Sequence, residues 1–164
     1  MAIHVYTGDG KGKTTCASGL AARFAATGKK VAFFRFLKCE PSGECESLKN
    51  CVDFYRTEGT FGFLFQMSEA EKQDLKVKIN ALWQKAKAMP CDLLVLDEIL
   101  CVISEKLIAE DDVLDFLQNV KAEVVLTGRG ASEKMVDAAD YVTEMKKIKH
   151  PFDNGEVARE GIEF

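Results

Sequence analysis

The stretch Thr7 to Thr15, TGDGKGKTT, combines residue types at a spacing suited to gripping a polyphosphate. Gly8, Gly10 and Gly12 permit the backbone turns and the close approach that let consecutive N–H groups wrap an anion. Lys13 adds a full positive charge, and the helix starting beside it adds unpaired N–H groups and the positive end of its dipole. Thr14 carries a hydroxyl able to ligate Mg2+. Thr7, Asp9, Lys11 and Thr15 complete the candidate nucleotide-binding set. The run departs from GxxxxGK[ST] at one place, where Thr7 stands for the first glycine.

Two further segments end in groups that suit the same chemistry. Asp92 to Glu98, DLLVLDE, is an apolar run closing on two carboxylates. If its strand lies adjacent to the first one, Asp97 or Glu98 supplies a hard oxygen ligand beside the phosphates. Glu123 to Thr127 is followed by Gly128 and Arg129, and a guanidinium there can stabilise charge on a departing phosphate. Arg35 and Lys38 close another apolar run and are expected at the ligand crevice, which in open parallel sheets lies at the carboxyl ends of the strands.

The segment from Glu58 to Gln66, EGTFGFLFQ, follows neither helical nor alternating spacing. Two readings stay open: an aromatic-rich loop on which a large flat apolar ligand docks, or a loop that tucks Phe61, Phe63, Leu64 and Phe65 into the core.

The elements that must position these groups follow from the apolar pattern. Strands are expected at Ile3 to Tyr6, Lys30 to Lys38, Val52 to Arg56, Asp92 to Glu98, Glu123 to Thr127 and Tyr141 to Met145, several of them dense enough in apolar residues to be buried on both faces. Helices are expected at Thr14 to Thr27, capped by Gly28, and from Ser68, through a capping box with Glu71, to about Met89. Two more are expected at Asp111 to Val120 and Ser132 to Ala139. Cys39 to Leu48 reads as a polar loop, and His150 before Pro151 as a turn residue. The alternation of strand and helix predicts an α/β fold of the P-loop NTPase type: three layers, with a mostly parallel central sheet of about six strands flanked by helices.

With 164 residues, the chain is expected to form a single domain spanning 1–164. A net charge of −4 and a pI near 5.3 give no electrostatic case for a nucleic-acid partner. No signal peptide opens the chain, and no apolar run nears the ~20 residues needed to cross a bilayer, so a cytoplasmic setting without a membrane partner is expected. The six cysteines form no CxxC pair. Cys39, Cys45 and Cys51 recur every six residues, a spacing that fits no zinc template, so reduced thiols are the expected state.

Taken together, TGDGKGKTT with Ala21, Ala22 and Arg23, then RFLK, GTFGF, VLDE, LTGRG, ADYVTEM, KHPFDNG and GIEF resemble the P-loop type ATP:corrinoid adenosyltransferases over essentially the whole chain. The resemblance implies transfer of the 5′-deoxyadenosyl group of ATP to the cobalt of a cob(I) corrinoid, with release of inorganic triphosphate. It implies that Gly8 to Thr15 wrap the triphosphate, that Lys13 and Arg129 meet the phosphates, and that Thr14 and Glu98 ligate Mg2+, with Asp97 a neighbour. Phe61 and Phe63 match an aromatic pair that occupies the lower face of the corrin and displaces its axial ligand, which eases reduction of cobalt(II).

Asp9 stands where the family often has Asn, and Phe63 where Trp is common. The resemblance further implies a homodimer and an electron donor such as a flavoprotein; because the chain begins at its first strand, the site is expected to lack the N-terminal lid of some members. An ordinary phosphotransferase or ATPase, and a nucleotide-gated binding module without chemistry, remain as alternatives.

Overall fold

The computed structural model describes residues 1–38, 42–59, 61–62 and 66–162. Phe63, Leu64 and Phe65 of the aromatic segment and Cys39 of the evenly spaced cysteines lie outside the described residues. Strand β1 (Ile3–Thr7) leads through the glycine loop into α1 (Lys13–Ala25); β2 (Val31–Arg35), α2 (Gly43–Leu48) and β3 (Asp53–Arg56) follow. Next come α3 (Glu69–Lys87), β4 (Leu93–Asp97), α4 (Ile99–Ser104), α5 (Glu110–Asn119), β5 (Glu123–Thr127), α6 (Glu133–Ala138) and β6 (Tyr141–Glu144). A short 3-10 turn, Pro151–Asn154, lies in the tail.

The six strands form one sheet in the order β3-β2-β4-β5-β1-β6. Each neighbouring pair is parallel. Helices cover both faces, as the α/β pattern predicts, and the strand period of two decides which side chains meet which layer. Phe34, Phe36, Leu94, Leu96, Val124 and Leu126 point to the face covered by Leu75, Ile79 and Trp83 of α3 and Val113 and Leu117 of α5. Phe33, Leu93, Val95 and Val125 point to the other face, where Ala17 and Ala21 of α1 pack. These small α1 residues are fully buried, so the helix lies close on the sheet and its first turn stands over the strand ends.

Three details differ from the sequence expectation. The polar stretch expected as a loop contains α2, a helix without buried residues, so no apolar periodicity announced it. Past Glu98, where no element is expected, comes the separate helix α4, which starts where Glu98 takes φ 65° and turns the chain sharply off β4. The expectation that β4 lies adjacent to β1 is also corrected, since β5 separates them. The acidic end of β4 still reaches the glycine loop because α1 packs across the sheet onto Val95 and Val125. The capping box at Ser68 and Glu71 forms as expected, with both reciprocal hydrogen bonds present.

Candidate nucleotide and cation site

The glycine loop is built against the end of β6. The Gly10 N–H donates to the Met145 carbonyl at 2.6 Å. A Cβ at Gly10 would lie 2.5 Å from that oxygen, so only glycine fits this approach. Gly12 ends the loop at φ 112°, a conformation that turns the chain into α1 without the steric cost any other residue would incur.

The loop opens onto a cavity of 830 Å³ at the carboxyl ends of the strands. Asp9 to Thr15 line it together with Lys38, Glu44, Glu98, Arg129 and His150. Thr7 sits just behind it, its hydroxyl accepting from the Ala131 N–H at 3.4 Å. Lys13 is folded back on its own loop, donating to the Gly8 and Gly10 carbonyls at 2.7 Å each. Burial lowers its pKa; the Glu98 carboxylate opposes that shift and Arg129 reinforces it. An incoming polyphosphate would supply the negative charge this lysine lacks.

The carboxylate that meets Thr14 is Asp97. Its Oδ1 accepts from Thr14 Oγ1 at 2.9 Å and from Thr127 Oγ1 at 2.7 Å. Thr127 in turn accepts from the Glu98 N–H at 3.0 Å, locking the end of β4 to the end of β5. Asp97 is fully buried, and its Oδ2 has no hydrogen-bond partner, although the Lys38 ammonium lies 3.3 Å away. A buried carboxylate oxygen beside a threonine hydroxyl is a hard donor set, so these residues fit Mg2+.

Glu98 lines the same cavity, but its carboxylate accepts from the Cys101 thiol at 2.9 Å. That thiol also accepts from the Arg129 N–H at 3.2 Å, so one side chain ties together the loops that follow β4 and β5. Burial, with the Glu98 charge beside it, pushes the Cys101 pKa up to about 12. The Arg129 side chain lies 3.8 Å from Asp9, both largely exposed, a contact worth little by itself.

Phe61 is placed elsewhere. It packs half-buried against the core and lines a separate cavity of 550 Å³ with Gln66, Met67, Leu75 and Lys78. Arg35 is buried under α2 and donates to Cys45 Sγ at 3.1 Å, whereas Lys38 reaches the site. His150 caps the 3-10 turn, its Nδ1 accepting from the Phe152 N–H at 3.1 Å, which agrees with a turn residue. Sequence reading passed over Thr127, Cys101 and Met145. The signal for Thr127 was its place as the last residue of a buried strand; Met145 acts through its carbonyl and left none.

The family profile described as ATP:corrinoid adenosyltransferase BtuR/CobO/CobP matches residues 1–164. The chain is similar to the corrinoid adenosyltransferase CobA of Salmonella typhimurium, 35% identical over 170 residues that span 99% of this chain and 85% of that one. A corrinoid adenosyltransferase of Sinorhizobium sp is 36% identical over 174 residues, spanning 99% of this chain and 79% of the relative. Among solved structures, the flagellar accessory protein FlaH of Methanocaldococcus jannaschii superposes with a TM-score of 0.55 at 13% identity, covering 87% of this chain and 70% of that one. A likeness at that identity speaks for the fold alone.

Proposed function

The chain belongs to the ATP:corrinoid adenosyltransferase family, and from that premise we propose how its residues divide the transfer of an adenosyl group from ATP to a corrinoid. The observation that supports the division best is the convergence of Lys13, Thr14, Asp97, Glu98 and Arg129 around one cavity beneath the glycine loop, or at its floor.

The cobalt(I) centre of the substrate attacks C5′ of ATP with its electron pair. A cobalt–carbon bond forms, the C5′–O5′ bond breaks, and the triphosphate leaves with that bond's electrons on O5′. Gly8 to Thr15 hold this leaving group through backbone N–H groups, and Lys13 exchanges its contacts with the loop carbonyls for the phosphates. Arg129 leaves Asp9 to do the same. The charge of Asp9 next to the phosphates opposes binding, and its proximity to Arg129 reduces that penalty.

Thr14, Asp97 and Glu98 are the residues that would hold Mg2+. When bound, the ion would neutralise phosphate charge and so improve the leaving group. Asp97 is held through Oδ1 by two threonine hydroxyls, and its Oδ2, without a hydrogen-bond partner, would be the oxygen free to ligate the ion.

Phe61 and Phe63 form the corrin platform in this reading. The aromatic segment follows β3 and so emerges at the same carboxyl edge of the sheet as the glycine loop, and Phe61 already stands at the wall of a cavity. The resemblance also carries a homodimer and an electron donor such as a flavoprotein. Among the described residues no helix is long and apolar enough to cross a membrane. A cytoplasmic setting remains part of the proposal.

The test is a reaction with ATP, magnesium, a corrinoid and a strong reductant. Adenosyl transfer yields inorganic triphosphate and a light-sensitive cobalt–carbon product in equal amounts. Formation of ADP would instead mark a phosphotransferase or ATPase, and no product a binding module.

A further inference from the structure

We propose that Lys38 is a stand-in for the divalent cation, its ammonium holding Thr14 and Asp97 in register until the metal and nucleotide displace it. This rests on the reading above that Thr14 and Asp97 hold the metal. The ammonium donates to Thr14 Oγ1 at 2.8 Å and lies 3.3 Å from Asp97 Oδ2. It therefore occupies the space between the two oxygen atoms assigned to the cation. Magnesium binds oxygen at about 2.0–2.1 Å, and two positive centres cannot share that gap.

The reason for such a device lies in the burial of Asp97. Its carboxylate is fully removed from water, and a buried negative charge without a cation beside it is strongly disfavoured. Of the other ammonium groups lining the cavity, Lys13 is committed to the Gly8 and Gly10 carbonyls and Lys11 donates to the Ile162 carbonyl. Lys38 thus supplies the charge. Its contact with Oδ2 lacks hydrogen-bond geometry, so the oxygen stays available to a better ligand.

The lysine also has somewhere to go. A third of its side chain is exposed, and it lines the same cavity as Glu44. Burial works to raise the Glu44 pKa, but the Ser42 hydroxyl, its own N–H and the charges of Lys38 and Arg35 hold the carboxyl below the usual range. A displaced ammonium meets either that carboxylate or the phosphates that arrive with the metal. Lys38 is on this account a positioning residue whose charge is exchanged for that of the ion.

The experiment titrates Mn2+, as a paramagnetic substitute for Mg2+, into nucleotide-free protein and follows free Mn2+ by electron paramagnetic resonance. Lys38→Met should bind Mn2+ about tenfold or more tightly than wild type, Lys38→Arg should stay weak, and adding Asp97→Asn to Lys38→Met should abolish the gain. Thermal melts of each variant establish that it is folded, and Lys38→Gln replaces Lys38→Met if the latter is not. Equal Mn2+ affinity in wild type and Lys38→Met, lost with Asp97→Asn, would overturn the stand-in while leaving the metal assignment intact. A gain that survives Asp97→Asn would overturn both, because the ion would then sit elsewhere. None of these readouts involves a corrinoid, so each is independent of whether adenosyl transfer is observed.

Discussion

Three residues at the site invite direct tests. In the proposed mechanism Lys13 is the mobile charge that meets the leaving group, so Lys13→Ala should abolish turnover, a loss of ~100-fold or more in a coupled triphosphate assay. Gly10 presses its backbone on Met145, and the 2.5 Å approach of a Cβ to that carbonyl oxygen leaves no room for alanine. Gly10→Ala should lower stability by about 1–3 kcal/mol and weaken ATP binding, read by thermal melting and by nucleotide titration. Cys101 is linked to Glu98 and to the Arg129 N–H with its pKa near 12, so at pH 8 it is almost wholly thiol. Because only thiolates alkylate, peptide mapping after brief alkylation at pH 8 should find the exposed Cys16 and Cys51 labelled well before Cys101. Comparable labelling of all three would contradict the bonded geometry.

Among the elements, α3 and α5 are joined by a polar clasp over their apolar contact. Trp83 Nε1 donates to Asp112 Oδ2 at 2.6 Å, and Lys87 donates to the same carboxylate at 3.0 Å. The Trp83 hydrogen bond, against a smaller cost of burial and with help from Lys87, lowers the Asp112 pKa. The folded value lies below the unfolded one, so the clasp contributes fully at neutral pH and is lost as pH falls below about 4 through the folded value. Asp112→Ala should therefore cost roughly 1 kcal/mol at pH 7, discounted for partial exposure, and the gap to wild type in chemical denaturation should shrink at low pH. The element scale also explains why α2 escaped notice. A six-residue helix with no buried face carries none of the periodicity by which α3 and α5 could be recognised.

For the whole molecule, the site depends on which strand ends the sheet brings side by side. The aromatic segment leaves β3 at one edge of the sheet, with β2, β4 and β5 between it and β1. On the proposed reading, the phosphate grip and the corrin platform are thus separate parts that a large substrate must bridge. Phe61→Ala with Phe63→Ala should impair product formation from cobalt(II) while sparing reaction from prereduced cobalt(I); equal loss in both assays would contradict that separation. The glycine loop, the buried strands and the capped α3 were legible from residue spacing, because each is specified by local backbone needs and apolar period. Arg129 was legible for a similar reason, standing just beyond an apolar run.

The sequence by itself determined that an anion-gripping loop sits between a strand and a helix, and that two carboxylates and a guanidinium end later strands. Only the tertiary structure decided that Asp97 rather than Glu98 meets Thr14, that Thr127 and Lys38 complete that contact, and that Cys101 joins Glu98 to the Arg129 loop. Apart from Cys101 with Glu98, such pairings join residues far apart in the chain, and they depend on strand order and on the close fit of α1. None of these is a property of any local stretch of residues, so no reading of spacing could supply them.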